Sequence, residues 1–172
     1  MADELDAISS QLEGEGGRDF DTPPLHLWHP PLSGDIPITI TADGTWYHQG
    51  DPIKRESLRN LFASILRREE DGDFYLVTPV EKWRLTVELH PLLVTDVERE
   101  GSALRLTLNT GKSVLVGEEY PLFLEPRMDN VAAVSLWHGL TALFSRSAWY
   151  RLVELADDSG VISSGDWHLS LQ

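Results

Sequence analysis

The chain has 172 residues and a formal net charge of −14 at pH 7, with 28 Asp and Glu against 14 Lys and Arg. That excess argues against DNA or RNA polymers and anionic membrane surfaces as partners, since both are held mainly through neutralisation of their phosphates. The absence of cysteine excludes a disulfide framework, a thiolate nucleophile and a zinc ribbon. Apolar residues at 41% and charged residues at 24% are ordinary for a globular protein, and the length suits one medium domain or two small ones. No apolar run approaches the ~20 residues that span a bilayer. The opening Met1-Ala2-Asp3-Glu4 is acidic where a signal peptide is basic and then apolar, so a cytoplasmic location is expected.

Residues 1–22 carry seven acids and the single base Arg18, and are expected to form a disordered acidic tail. Leu5, Ile8 and Leu12 share one face of a turn or two of helix, which Gly14-Glu15-Gly16-Gly17 would end. Those glycines precede no helix with a lysine, so they are not a phosphate loop. Pro23-Pro24 marks entry into the folded part. Residues 36–40 and 45–48 read as a hairpin turning at Ala42-Asp43-Gly44, with Pro37 expected at a strand edge. Asp51-Pro52 offers a helix start, and Leu58, Leu61, Phe62, Ile65 and Leu66 form an amphipathic stripe that predicts a helix reaching Arg68. Glu70-Asp71-Gly72-Asp73 stops it. Residues 74–78 form a strand broken by Pro79, and 80–88 continue as another.

The second half reads as richer in strands. Residues 92–99, 103–109 and 112–116 predict a meander, in which Leu104, Leu106 and Leu108 alternate with Arg105, Thr107 and Asn109. A strand over 131–137 is followed by a predicted long helix over 139–156, with a break near 145–147. Its core positions are expected to be Leu140, Leu143, Phe144, Trp149, Leu152, Val153 and Leu155. Ser163-Ser164-Gly165-Asp166 reads as a turn before a terminal strand near 167–171. Trp46-Tyr47-His48 and Trp137-His138-Gly139 each lead towards a helix and then an extended segment, a faint echo of a duplicated strand–helix–strand unit.

Few groups carry chemistry. Residues 54–68 hold Lys54, Arg55, Arg59, Arg67 and Arg68 against the lone acid Glu56, which is either a solvated face or an anion site using arginine's bidentate geometry. Arg55, near the expected helix N-terminus, is best placed for an anion. His26 and His29 have a spacing seen in metal sites, but lie on a proline-bounded extended segment where their side chains diverge, so no metal is assigned. No Gly-x-Ser-x-Gly elbow accompanies the histidines. Most of the six tryptophans are expected in the core; Trp28, beside Pro30-Pro31, could instead serve as a stacking platform. Tyr150 and Arg151 supply an aromatic–cation pair on the last helix. The strand kink at Thr78-Pro79-Val80-Glu81-Lys82 brings a hydroxyl, a carboxylate and an ammonium to one place.

Several of these segments resemble the mainly proteobacterial domain-of-unknown-function family 1285. They are His26-Leu27-Trp28 with Pro30, Gly34-Asp35-Ile36, Asp43-Gly44-Thr45-Trp46, Gly50 with Pro52-Ile53 and Arg55, Leu61-Phe62, the run 75–82, Tyr150-Arg151-Leu152-Val153 and Ser164-Gly165. The resemblance implies an α+β protein of two small domains of duplicated strand–helix–strand character. The expected divisions are a tail over 1–22, an α+β domain over 23–88 and a β-rich domain over 89–172. The last is a mostly antiparallel meander or barrel, superficially like a pleckstrin-homology domain, with a long C-terminal helix. The resemblance also implies a groove between the domains for a nucleotide-based ligand, and a role in signalling without established enzymatic activity.

The expected function is therefore non-enzymatic binding of a small anionic, nucleotide-like ligand, with no other cofactor and with a signalling protein as a further partner. The candidate ligand-binding residues are Trp28, Asp35, Arg55, Thr78, Glu81, Lys82, Tyr150 and Arg151, a set suited to stacking a base and pairing phosphates. The alternatives are a peptide-binding adaptor with an aromatic groove and, more remotely, a hydrolase using Asp35 or Glu81 as general base.

Overall fold

A computed structural model describes Ile8 and residues 23–172. The expected tail, with Leu5, Leu12 and Gly14 to Gly17, otherwise lies outside the described residues; Ile8 itself is helical and buried. The chain divides into two compact units, Met1–Leu89 and His90–Gln172. Each is built on a mixed sheet with few helices, an α+β architecture. No helix among the described residues is long and apolar enough to cross a membrane.

The first unit contains β1 (Gly34–Ile40), β2 (Trp46–His48), β3 (Asp51–Pro52), α1 (Glu56–Ser64), β4 (Leu66–Arg68), β5 (Phe74–Val77) and β6 (Lys82–Val87). The second contains β7 (Leu92–Glu100), β8 (Ala103–Leu108), β9 (Ser113–Leu115), β10 (Leu122–Glu125), β11 (Val131–Ser135), β12 (Thr141–Phe144), α2 (Arg146–Leu155) and a hairpin of β13 (Val161–Ser164) and β14 (Trp167–Ser170).

The first sheet runs β3-β2-β1-β6-β5-β4 and the second β10-β11-β12-β7-β8-β9. Numbering strands from one within each unit, so that β7 to β12 become one to six, gives the same order, 3-2-1-6-5-4, for both. In each, the first and last strands pair in parallel at the centre, β1 with β6 and β7 with β12. Antiparallel meanders flank them. The strand order repeats between the units, but the segments that echo in the sequence are not equivalent: Trp46–His48 is β2, whereas Trp137–Gly139 is a 3-10 turn between β11 and β12. The helices do not echo, since α1 follows the third strand of its unit and α2 the sixth.

Several expectations are corrected. Asp51-Pro52 forms an edge strand rather than a helix start, a position that accepts proline because an edge N–H has no ladder partner. Pro37 does not lie on an edge. It falls inside the central strand β1, at the end of the pairing with β2, where its carbonyl accepts from the Gln49 amide at 2.9 Å; on the other side the register against β6 shifts between Asp35 and Thr39. The cationic segment is not one helix: α1 ends at Ser64 and Arg67 and Arg68 lie on β4. The predicted long last helix begins as β12, and α2 starts only after Ser145, whose hydroxyl accepts from the Ala148 amide at 3.2 Å as an N-cap. That start turns Val153 outward (46% exposed), while Leu152 is buried. The turn at 163–166 tightens to Gly165 and Asp166 between β13 and β14.

Packing follows the sheet faces. Ile36, Ile38 and Ile40 of β1, Leu76 of β5 and Phe62 of α1 are buried in the first unit. Trp46 stacks on Phe62 with ring centres 6.4 Å apart. It is the one tryptophan among the described residues that is buried; the other five are half-buried, Trp149 within α2 and the rest at or near element ends. In β8, Leu104, Leu106 and Leu108 point inward and Arg105 and Thr107 outward, as the alternation predicts. Gly34 is needed where it stands: its φ is +146°, and a Cβ there would lie 3.3 Å from the Trp83 ring.

Candidate functional site

A cavity of about 680 Å³ opens on the first unit, lined by His26, His29, Pro30, Arg67 to Asp71 and Lys82. Arg67 reaches it because β4 pairs with β5, and Lys82 because it opens β6 on the other side of β5. Arg67 donates through Nη1 to the carbonyls of Leu25 and Trp28, both at 3.0 Å, which ties the N-terminal 3-10 turn to the sheet. Its Nη2 and Nε donate to Glu69 Oε2 at 2.6 and 3.1 Å. Lys82 Nζ donates to the other oxygen, Glu69 Oε1, at 2.9 Å. One carboxylate therefore bridges two cations from two non-adjacent strands.

The electrostatics agree. Partial burial pushes the Glu69 carboxyl up, but the hydrogen bonds from Lys82 and Arg67 outweigh it, and the group titrates below the ordinary carboxylate range. Beneath Lys82, the Tyr75 hydroxyl donates to Asp71. That bond lowers the Asp71 carboxyl and raises the Tyr75 phenol. Arg68 lies over the Phe74 ring at 5.4 Å. His29 Nε2 meets the His26 carbonyl at 2.8 Å, a local contact within the rim. Among the described residues, no group of three or more His, Cys, Asp or Glu is placed to hold a metal ion.

Of the eight residues singled out from sequence, Lys82 lines this cavity. Trp28 contributes its carbonyl to Arg67, as above. Thr78 is buried in the β5–β6 turn, where its Oγ1 accepts from the Glu81 amide at 2.9 Å and the Val80 amide at 3.3 Å. The expected kink is thus a hairpin turn held by its own hydroxyl. Glu81 accepts from Trp83 Nε1 at 3.2 Å. Asp35 is exposed on β1 and pairs with Arg84 at 3.1 Å, its register partner on β6. Arg55 is exposed just before α1 and caps it with no side-chain bond. Tyr150 and Arg151 belong to the second unit; Tyr150 is exposed, and Arg151 Nε donates to the Val97 carbonyl at 2.8 Å.

Sequence reasoning misses Glu69, which has no reason to stand out within an acidic run, and reaches Arg67 only as one cation of the 54–68 segment, expected on a helix as either a solvated face or an anion site.

A second polar cluster lies in the other unit. His90 is buried and bridges Glu125 Oε1 through Nε2 at 2.7 Å and Thr141 Oγ1 through Nδ1 at 2.6 Å. Arg127 closes on Glu125 through Nη2 at 2.6 Å. The arrangement joins β10 and β12 to the residue that opens the unit.

Two α+β units sharing one strand order, the first carrying a polar cleft, define the class of protein. Residues 23–89 match the domain of unknown function (DUF1285), N-terminal domain, and residues 91–170 the corresponding C-terminal domain. The chain belongs to this family. It is similar to the crystal structure of a DUF1285 family protein from Silicibacter pomeroyi DSS-3, at 39% identity and a TM-score of 0.79 over 87% of each chain. It is also similar to one from Shewanella baltica OS155, at 29% identity and a TM-score of 0.59 over 71% of this chain and 94% of that one. The search of curated proteins returned no match.

Proposed function

We propose that the protein is a non-enzymatic binder of a small anionic, nucleotide-like ligand, acting in signalling, and that the cavity around Arg67 and Lys82 receives the ligand's anionic end. The observation that carries this reading is the convergence of a guanidinium and an ammonium on one carboxylate within an open cavity. Two cations fixed from separate strands form a preorganised anion clamp, with the arginine giving a directed pair of donors and the lysine a point charge. The signalling role comes from the family resemblance. The deciding experiment is a thermal-shift screen of nucleotides and cyclic dinucleotides against wild type and Lys82→Met. A ligand at ~100 times its Kd adds about 2.7 kcal/mol of stability, and the proposal requires that this increment vanish in the variant.

A second reading, a peptide-binding adaptor, draws on Leu32 and Val80, exposed at 45% and 66%. The loop and turn that carry them are joined by the Ser33 amide donating to the Lys82 carbonyl at 2.7 Å. The hydrolase alternative has less support, because Asp35 and Glu81 are engaged by Arg84 and Trp83.

A further inference from the structure

We propose that the Glu69 carboxylate is an internal stand-in for the ligand's oxyanion, so that binding is an exchange: a phosphate or carboxylate group takes the place of Glu69 between Arg67 and Lys82. This deepens the anion-binding reading above and rests on it.

Three features carry the inference. First, both cations are held by something other than Glu69. Arg67 is anchored by the carbonyls of Leu25 and Trp28, and Lys82 lies 4.6 Å from the centre of the Tyr75 ring. The clamp therefore keeps its geometry when the carboxylate leaves. Second, Glu69 is divided between its two oxygens in the way a ligand oxyanion would be, with Oε2 on the guanidinium and Oε1 on the ammonium. Third, the bridge is not sealed into a core. The Glu69 side chain is 24% exposed and lines the cavity, so an incoming oxyanion can reach the cations as Glu69 turns out to water.

The backbone permits this movement. Glu69 opens the β4–β5 turn, which is closed by its amide donating to the Asp73 carbonyl at 3.0 Å and by the Gly72 amide donating to the Glu69 carbonyl at 2.9 Å. Only the side chain has to rotate. The exchange replaces one set of charge-assisted hydrogen bonds by another, so the resident carboxylate lowers the apparent affinity by the fraction of time it occupies the clamp. Glu70 and Asp71 line the same cavity and disfavour further negative charge on the ligand. The fitting class is a compound with one terminal oxyanion on a neutral body, such as a nucleoside monophosphate or an N-acylated amino acid.

The test is calorimetric titration of the full chain with inorganic phosphate, adenosine monophosphate and N-acetylglycine, in wild type, Glu69→Gln and Glu69→Asp. The first two probes report the phosphate source and the third the carboxylate source. Glu69→Gln is expected to bind at least one probe tenfold or more tightly than wild type. Glu69→Asp, one methylene too short to span both cations, should fall between them, and it decides the matter if Glu69→Gln does not fold. Adding Lys82→Met to either variant should abolish the gain. Wild type binding a probe as tightly as the Glu69 variants would overturn the exchange and leave the anion site standing. No binding of any probe by any of the three proteins would overturn both.

Discussion

The ammonium of Lys82 lies 4.6 Å from the centre of the Tyr75 ring while donating to Glu69, so a buried aromatic positions the cation from below and a carboxylate holds it from the side. Tyr75 is 2% exposed; its ring face, not its hydroxyl, meets the lysine. Tyr75→Phe should therefore keep anion binding within about twofold, whereas Tyr75→Leu, which removes a cation–π contact of about 0.5–2 kcal/mol, should weaken it severalfold. Titration with whichever ligand the thermal screen yields would separate the two.

Arg67 has a structural duty that Lys82 lacks. Its guanidinium satisfies two backbone carbonyls of the N-terminal turn and is only 12% exposed. Arg67→Ala is expected to lose about 2–4 kcal/mol, since hydrogen bonds to charged groups contribute about 1.5–3 kcal/mol and the carbonyls would be left without that donor. Lys82→Ala should cost about 1 kcal/mol. Urea unfolding of both variants checks the ranking; equal losses would mean that the turn is held by other contacts.

Glu125 sets the acid limit of the second unit. Hydrogen bonds from the Arg127 side chain, the Arg127 amide and His90 hold its carboxyl at about 2, against the opposing effect of burial, compared with an ordinary 4.5. A folded-state value below the unfolded one stabilises at pH above 4.5 and loses that contribution as pH falls from 4.5 towards 2. The amount is about 3 kcal/mol. Glu125→Gln should remove this dependence and lower stability at pH 7, as urea melts at pH 7, 4 and 3 would show.

Arg151 is half-exposed, donates to the Val97 carbonyl, and lies 4.0 Å from Asp96. Arg151→Ala is expected to cost about 1 kcal/mol and to leave binding at the Arg67–Lys82 clamp unchanged. Loss of ligand-induced stabilisation in this variant would return Arg151 to the ligand site.

Ile8 is helical and fully buried. Ile8→Ala should then cost about 2–4 kcal/mol, and removal of residues 1–22 at least as much. An unchanged melting temperature in the truncated chain would instead support the tail expected from composition.

What could be read from sequence follows from how local each signal is. The alternation of Leu104, Leu106 and Leu108 and the turn residues around Asp43 specify their strands almost unaided, since Asp43 accepts from both Thr41 and the Thr45 amide. The Leu58–Leu66 stripe misled because Ile65 and Leu66 are buried in either structure; only pairing with β5 decides for a strand at Leu66. β12 was hidden in the same way, as its apolar run reads equally as helix until the sheet claims it. The site was half legible. Lys82 stood out in a distinctive run, but its partner Arg67 is joined to it through β5, and no spacing along the chain encodes a neighbour two strands away.

The shared strand order has a consequence for synthesis. In each sheet the strand made first waits for the strand made last: Asp35 on β1 meets Arg84 on β6 only after 49 further residues have been added. The β1–β2–β3 meander can form as it leaves the ribosome, yet until β6 arrives β1 exposes a row of unpaired amides and carbonyls. Nascent chains halted before β6 should accordingly be bound by chaperones and prone to aggregate, and release of β6 should convert them in one cooperative step. The second unit passes through the same exposed stage when β7 waits for β12, so the chain is vulnerable twice during translation rather than once.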